Sequence, residues 1–212
     1  MRRFSKINKL LQESGKQPPK LKATGILLAG GKSSRMHRDK AFLELEGRPL
    51  VERSLAVLQT VFTEVFISSN KPELYVRFDV PVIQDEILER GPLEGLYQGL
   101  KAATFEEVFF VACDMPFLEA ELIRLLAKWT PEYDIVVPRL KSGAHPLHAF
   151  YHRRCLPEIK RKLEAGYLKV GDLYQTCSIR YVGETELQAF ENLSKVFCNV
   201  NTPEDWSAIL KE

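Results

Sequence analysis

The fold of this protein is decided by Gly25-Ile-Leu-Leu-Ala-Gly-Gly-Lys-Ser-Ser-Arg-Met-His-Arg-Asp-Lys40, a stretch in the first fifth of the 212-residue chain. Its first residues are apolar, as in a buried strand, and they lead into two consecutive glycines. Four cations follow the glycines: Lys32, Arg35, Arg38 and Lys40. A glycine turn after a strand lets backbone amides approach an anion closely. With cations behind it, the turn predicts polyphosphate binding and therefore nucleotide chemistry.

This stretch differs from the two commonest phosphate-binding loops. A G-x-x-x-x-G-K-[ST] loop that ended at Gly31-Lys32-Ser33 would need glycine at position 26, where the chain has Ile26. The dinucleotide fingerprint G-x-G-x-x-G is absent as well. From these residues alone, a phosphate cradle and a strand–turn with ordinary surface charge both stay open.

Composition predicts one cytoplasmic α/β domain preceded by a basic extension. Residues 1–22 hold seven Lys and Arg against one acid, whereas the whole chain carries a net charge of only +2. Residues 23–212 are therefore acidic and form the predicted domain, for which we expect no nucleic acid partner. No apolar run reaches the ~18 residues of a membrane span, and no apolar secretory core is seen. The four cysteines are scattered, which indicates a reducing compartment and disfavours structural zinc.

Strand-like apolar runs alternate with helical patterns along the chain. This alternation predicts a three-layer, Rossmann-like α/β fold in which a mostly parallel sheet has helices on both faces. Ligands of such sheets bind at the carboxyl ends of the strands. The predicted strands are residues 24–29, 64–68, 80–84, 108–113, 134–138, 147–151, 179–182 and 196–199. The predicted helices are residues 50–62, 93–103, 120–129, 153–165, 168–176 and 203–210, the last with Thr202 as its N-cap.

Two polar side chains follow predicted strands with the chemistry of a Mg²⁺ site. Asp114 comes directly after the most apolar strand, and Mg²⁺ takes one or two carboxylates together with substrate phosphates. Asn201, with Asn199 as a second choice, follows the last predicted strand, and its amide oxygen can complete a cation's shell without adding charge. The alternatives stay open: Asp114 as a turn former before Pro116, and the asparagines as residues that shape a turn.

A third group of residues is predicted to hold a ribose or a base. Asp85 ends the strand at 80–84, and Gly91-Pro-Leu-Glu-Gly95 leads into the next helix. A plain turn is the alternative. His145, His148 and His152 are spaced by three and four residues, but the strand-like segment 147–151 disfavours a helical zinc site. The histidines are better interpreted as part of a substrate-facing loop at Ser142-Gly-Ala-His-Pro146.

Five motifs, in order over residues 24–211, resemble those of the molybdenum cofactor guanylyltransferases. Leu28-Ala-Gly-Gly31, Ser33, Arg35-Met36 and Asp39-Lys40 match the pattern L-A-G-G-x-S-x-R-M-G-x-D-K, except that His37 replaces a glycine. The other four matches are Asp85 with Gly91-Pro-Leu-x-Gly95, Val111-x-Cys-Asp-Met-Pro116, the H-P-L-H-A part of the G-x-x-H-P-L-H-A segment, ending at Ala149, and Asn199-x-Asn-Thr-Pro-Glu-Asp205.

The resemblance implies a nucleotide-diphospho-sugar-transferase-like fold and a reaction. GMP would pass from GTP to molybdenum-bound molybdopterin, with release of pyrophosphate and with Mg²⁺ as cofactor. The implied partners are these two substrates, a molybdopterin-loading protein and the recipient molybdoenzymes. A second glycine in the loop leaves room beside a purine base, whereas the cytidylyltransferase relatives carry L-A-A-G.

The same resemblance implies roles for individual residues. Arg35 and Lys40 would be catalytic, since they would neutralise charge that develops on pyrophosphate. Asp114 and Asn201 would hold the metal. The implied nucleotide-binding residues are Leu28, Ala29, Gly30, Gly31, Lys40, Asn70, Asp85, Gly91 and Asp114. The competing interpretations are a related cytidylyltransferase or sugar-nucleotide pyrophosphorylase, and a non-catalytic nucleotide-binding module that delivers the cofactor.

Overall fold

The computed structural model describes residues 18–30, 40–88 and 90–210, which contain ten strands and seven α-helices. The strands are β1 (Leu21–Leu28), β2 (Glu44–Leu45), β3 (Arg48–Pro49), β4 (Phe62–Ser68), β5 (Val82–Ile83), β6 (Glu107–Ala112), β7 (Ile135–Leu140), β8 (Gly143–Ala144), β9 (His148–His152) and β10 (Ile179–Gly183). The α-helices are α1 (Leu50–Val61), α2 (Gly91–Ala102), α3 (Ala120–Leu126), α4 (Leu156–Glu164), α5 (Glu184–Leu187), α6 (Leu193–Val196) and α7 (Pro203–Ile209). Short 3-10 helices cover Lys40–Phe42, Pro72–Leu74, Val76–Phe78, Ala127–Trp129, Arg153–Cys155 and Val170–Gln175.

Eight of the strands form one mixed sheet in the order β10-β7-β9-β6-β1-β4-β5, with β8 paired to β7. β1 lies between β4 and β6 and is parallel to both, whereas β9 runs antiparallel between β6 and β7. Leu28, the last residue of β1, lies beside Ser68 of β4 and Ala112 of β6. Three parallel strands therefore end together, and the polar residues that follow them meet at one edge of the sheet.

Helices cover both faces of this sheet, and each face has its own hydrophobic core. Phe109 and Phe110 are neighbours in β6 and point to opposite faces, as the period of two in a strand requires. The Phe109 face packs against α1 and α3, and the Phe110 face packs against α2 and α4. The predicted three-layer fold with a mostly parallel sheet is confirmed.

Gly99 lets α2 approach the sheet closely, and its replacement should destabilise the fold. A Cβ at this position would lie 2.5 Å from Phe110 Cε1 and 2.6 Å from Ile26 Cδ1, both on fully buried side chains. We expect Gly99→Ala to lower the free energy of unfolding by about 1–2 kcal/mol, measured by chemical denaturation, because overpacking outweighs alanine's better helix propensity. Gly171→Ala is the matched control, since a Cβ there meets nothing within 4 Å. Equal stability of the two variants would contradict this account.

One predicted strand, residues 196–199, is wrong. Val196 ends helix α6, and the amides of Phe197 and Cys198 donate to the carbonyls of Leu193 and Lys195 instead of to a neighbouring strand. The sequence of this segment is typical of a short strand because Val196 and Phe197 are apolar. In the structure both side chains are buried. Their burial comes from side chains that pack on the core, while the backbone stays outside the sheet. Residues 197–201, called the asparagine arm below, are therefore a coil.

The other predicted elements are present with shifted boundaries. The helix predicted at 168–176 is a 3-10 helix, and those at 120–129 and 153–165 are each part 3-10 and part α. Within the described ranges, no helix combines the length and the apolar character that crossing a bilayer requires. β1 already begins at Leu21, and the Arg124 guanidinium donates to the carbonyl of Pro19 at 2.8 Å. The division into residues 1–22 and 23–212 stays a prediction.

Candidate active site

Asp114 lies at the edge of the sheet where the three parallel strands end. It follows β6 by two residues, and the backbone around it is fixed on two sides. The amide of Cys113 donates to Leu28 O at 3.0 Å, and the amide of Val200 donates to Asp114 O at 2.9 Å. Burial raises the pKa of Asp114, although the nearby Lys40 ammonium opposes that rise. A carboxylate held in this way favours a cationic partner.

Lys40 brings the two predicted metal ligands together. Its Nζ donates to Asn201 Oδ1 at 3.0 Å and lies 3.6 Å from Asp114 Oδ2. The lysine side chain is only 16% exposed, so the ammonium interacts with both oxygens in a partly desolvated position. Three of the residues singled out from the sequence therefore form one cluster. Gly31 and the second predicted catalytic residue, Arg35, lie outside the described residues.

Helix α7 fixes Asn201 through its own N-terminal cap. The Asp205 carboxylate accepts from the amides of Asn201 and Thr202, both at 2.8 Å, and the Asp205 amide donates to Thr202 Oγ1 at 3.1 Å. These bonds form a capping box and confirm Thr202 as the N-cap. The two backbone bonds, that from Asn201 first, lower the pKa of Asp205. Because Asp205 and Thr202 do the capping, the side chain of Asn201 is left to face Lys40.

The oxygens of Asp114 and Asn201 fit a hard divalent cation. Carboxylate and amide oxygens are ligands that Mg²⁺ accepts, and Mg²⁺ usually takes few protein ligands and completes its shell with substrate phosphates and water. The described residues contain no group of three or more His, Cys, Asp or Glu that could hold a metal by themselves. A cation here would therefore be coordinated by these protein oxygens together with oxygens of a bound polyphosphate.

The start of the glycine loop is held by bonds inside the protein. The amide of Ala29 donates to Ser68 O at 2.9 Å, and its carbonyl accepts from the buried Tyr75 hydroxyl at 3.2 Å. Leu28 and Ala29 are both buried. Any phosphate-binding amide of this loop must therefore come from Gly30 or later. Leu28 and Ala29 can contact a nucleotide only through their side chains. Sequence reasoning did not find Ser68 or Tyr75.

Asn70 and Asp85, two predicted nucleotide-binding residues, form a reciprocal pair. Asn70 Nδ2 donates to Asp85 Oδ2 at 2.8 Å, and the Asp85 amide donates to Asn70 Oδ1 at 2.9 Å. The second carboxylate oxygen, Oδ1, faces Gly95, where an added Cβ would lie 4.0 Å away. Burial raises the pKa of Asp85, the Asn70 bond lowers it, and the charge of Glu94 raises it.

Gly95 lets α2 approach the ends of β1 and β4 closely beside this carboxylate. A Cβ there would also lie 3.2 Å from Leu28 Cδ2 and 3.4 Å from Ser68 Oγ. Gly91, one turn earlier, begins α2 with a left-handed φ of 67°. A carboxylate oxygen, a hydroxyl and an apolar side chain thus meet beside Gly95. These groups suit a ribose or a base.

The three histidines do not form a common cluster. His148 and His152 stand at opposite ends of β9, which separates them by about 13 Å at ~3.3 Å per residue. His148 is fully buried, and burial lowers its pKa to about 3, with a smaller contribution from His145. His152 lies at the far edge, 3.8 Å from the Glu106 carboxylate. The interpretation against zinc agrees with this separation, whereas the substrate-facing role of residues 142–146 stays a prediction.

The class of protein that this fold and site define is a nucleotidyltransferase, and comparisons with known proteins agree. The chain belongs to the MobA-like NTP transferase family, whose domain matches residues 25–176. It is 40% identical to a protein of Pelotomaculum thermopropionicum named as a probable molybdenum cofactor guanylyltransferase, over 87% of this chain and 90% of the relative. A molybdenum cofactor guanylyltransferase of Desulfosudis oleivorans is 36% identical over 86% and 91% of the two chains.

Solved structures show the same fold at lower sequence identity. The molybdopterin-guanine dinucleotide biosynthesis protein A of Archaeoglobus fulgidus superimposes with a TM-score of 0.78 at 23% identity, over 89% of this chain and 97% of that chain. The 4-diphosphocytidyl-2C-methyl-D-erythritol synthase of Anaerococcus prevotii gives 0.69 at 13% identity, over 90% and 95%. The predicted nucleotide-diphospho-sugar-transferase fold is confirmed. Nucleotidyltransferases of this family generally depend on a divalent metal.

Proposed function

We propose that this enzyme transfers GMP from GTP to molybdenum-bound molybdopterin, forming the guanine dinucleotide cofactor and pyrophosphate. The observation that carries the proposal is the contact of Lys40 with both Asp114 and Asn201, which gathers cationic and metal-binding groups at the end of β6. The relatives named as molybdenum cofactor guanylyltransferases support the choice of substrates. The metal is Mg²⁺, and the reaction takes place in the cytoplasm.

The transfer is a substitution at phosphorus that requires no protein nucleophile. An oxygen of the terminal phosphate of molybdopterin forms a bond to the α-phosphorus of GTP, and the bond from that phosphorus to the bridging α–β oxygen breaks. The electron pair of the broken bond remains on pyrophosphate, so negative charge grows on the leaving group. Catalysis then consists of alignment and of charge stabilisation.

The residues of the site divide this work. Asp85 and the backbone of residues 91–95 hold the nucleoside, and the loop from Gly30 onward binds phosphates. Asp114 and Asn201 would hold Mg²⁺, which withdraws electron density from the phosphates when it is bound. The Lys40 ammonium would neutralise negative charge that grows on the leaving pyrophosphate.

A nucleotide screen tests this proposal against its alternatives. We expect GTP with Mg²⁺ to raise the melting temperature more than CTP, UTP or ATP does, because ligands stabilise the state that binds them. Pyrophosphate release should then require both GTP and molybdopterin. A preference for CTP would instead favour the cytidylyltransferase, and GTP binding without pyrophosphate release would favour a delivery module. A molybdopterin-loading protein and the recipient molybdoenzymes are the proposed partners.

A further inference from the structure

The asparagine arm, residues 197–201, carries a predicted metal ligand but has no place in the sheet. One backbone hydrogen bond and two buried side chains in its first four residues tie it to the core. The Val200 amide donates to Asp114 O at 2.9 Å, and the side chains of Val200 and Phe197 are buried. The position of Asn201 relative to Asp114 therefore depends on how firmly the side chain of Phe197 is held, as well as on the cap of α7.

Two histidines hold that phenyl ring. The His145 ring lies 4.5 Å from the Phe197 ring, centroid to centroid, and the His148 ring lies 5.0 Å away at an interplanar angle of 66°. His148 also makes a T-shaped contact with Phe109 of β6, at 5.2 Å and 89°. Tilted and T-shaped pairs are favoured aromatic geometries. His148 thus connects the central strand that leads to Asp114 with the arm that leads to Asn201.

The two imidazoles are not what packing stability alone would select. His148 Nδ1 and Nε2 and His145 Nε2 are buried and have no hydrogen-bond partner among the described residues. Buried polar atoms without partners lower stability, and an apolar side chain of similar size would avoid that cost. An arrangement that gives up stability next to a functional cluster indicates a role other than filling space.

We propose that His145 and His148 are positioning residues, which set the distance between Asp114 and Asn201 by clamping Phe197. In this role they act through the arm and not through a contact with the metal. The consequence for catalysis rests on the proposed function of Asp114 and Asn201, whereas the clamp itself is a statement about the arm. Both parts can be measured separately.

The test compares His148→Leu and Phe197→Leu with the control Phe110→Leu. Phe110 is a buried aromatic residue of β6 that faces the opposite core. Amide hydrogen exchange at Val200 is read by NMR, together with the melting temperature and, in turnover, the half-saturating Mg²⁺ concentration. We expect exchange at Val200 to become about tenfold faster in His148→Leu and Phe197→Leu, called the arm variants, since local opening of the arm becomes easier. The half-saturating Mg²⁺ concentration should rise about tenfold as well, which corresponds to ~1.4 kcal/mol.

The control and the conservative variants separate positioning from simple packing. Phe110→Leu should lower the melting temperature without changing Val200 exchange or the half-saturating Mg²⁺ concentration. His148→Leu should change Val200 exchange and the half-saturating Mg²⁺ concentration while keeping the melting temperature. His145→Phe keeps an aromatic ring against Phe197 and should behave like the wild type, unlike His145→Ala, which also serves if His148→Leu fails to fold. Unchanged Val200 exchange in a folded arm variant would overturn the proposal. If the wild type transfers no GMP, the proposed function is wrong. The exchange data still test whether the two histidines hold Phe197.

Discussion

Asp114→Asn is expected to reduce Mg²⁺-dependent GMP transfer by about a thousandfold or more while leaving the protein folded. The substitution keeps the shape of the side chain and removes the charge that attracts a divalent cation. Burial raises the pKa of Asp114, so the ionised carboxylate is less favourable in the folded state than in the unfolded state at neutral pH. The neutral amide should therefore keep the melting temperature or raise it. Pyrophosphate release at saturating GTP and varied Mg²⁺ measures the loss.

A second aspartate provides the matched control for this variant. Asp79 is exposed and has a left-handed φ of 51°, a conformation that asparagine tolerates well, so Asp79→Asn should change neither turnover nor stability. If Asp114→Asn retained turnover within tenfold of the wild type, Asp114 could not be the metal ligand. A loss of turnover together with unfolding would likewise contradict the expected gain from removing a buried charge.

Lys40→Met is expected to slow turnover by about 100-fold or more, since one preorganised charge is worth ~3–4 kcal/mol in a transition state. The same variant should bind Mg²⁺ more tightly in the absence of nucleotide. In the wild type the ammonium lies 3.6 Å from Asp114 Oδ2 and competes with a divalent cation for that oxygen. Stronger metal binding combined with weaker catalysis is the distinctive result. Calorimetry gives the first quantity, and kcat at saturating GTP gives the second.

Lys160→Met is the control for this substitution. Lys160 lies on α4 with a side chain that is 61% exposed and a loose ion pair to Glu164 at 3.9 Å. Such surface pairs contribute little, so neither turnover nor metal affinity should change. If turnover in Lys40→Met fell by less than tenfold, Lys40 would not be a major source of charge stabilisation. Unchanged Mg²⁺ affinity would instead mean that the ammonium and the metal do not compete.

Much of the fold could be predicted from the sequence because local patterns carry it. The apolar run at residues 108–111 is buried on both faces of the sheet, and the predicted strand differs from the observed one by one residue at each end. The strand at 196–199 was predicted wrongly because a short apolar run cannot tell a buried strand from a coil whose side chains fill a core. The antiparallel direction of β9 was also beyond reach, since pairing direction depends on distant partners.

The candidate site divides in the same way. Residue type and position after a predicted strand pointed to Asp114, Asn201 and Asp85, although the strand predicted before Asn201 is absent. The roles of Lys40 and Asn70 came from the family resemblance. What the sequence could not supply were the pairings, because Lys40 and Asn201 are 161 positions apart and still lie within hydrogen-bond distance. The proposed clamp on Phe197 was missed as well, because it requires knowing that His148 is buried and that the half-buried His145 packs on the same phenyl ring.

The span of the Lys40–Asn201 contact has a consequence for how the enzyme matures. Loop-closure entropy disfavours a contact between residues so far apart until the strands between them are paired, so we expect it to form late in folding. The proposed nucleoside contacts, by contrast, all lie within residues 28–95. Activity should accordingly be a more stringent reporter of a completely folded chain than nucleotide affinity.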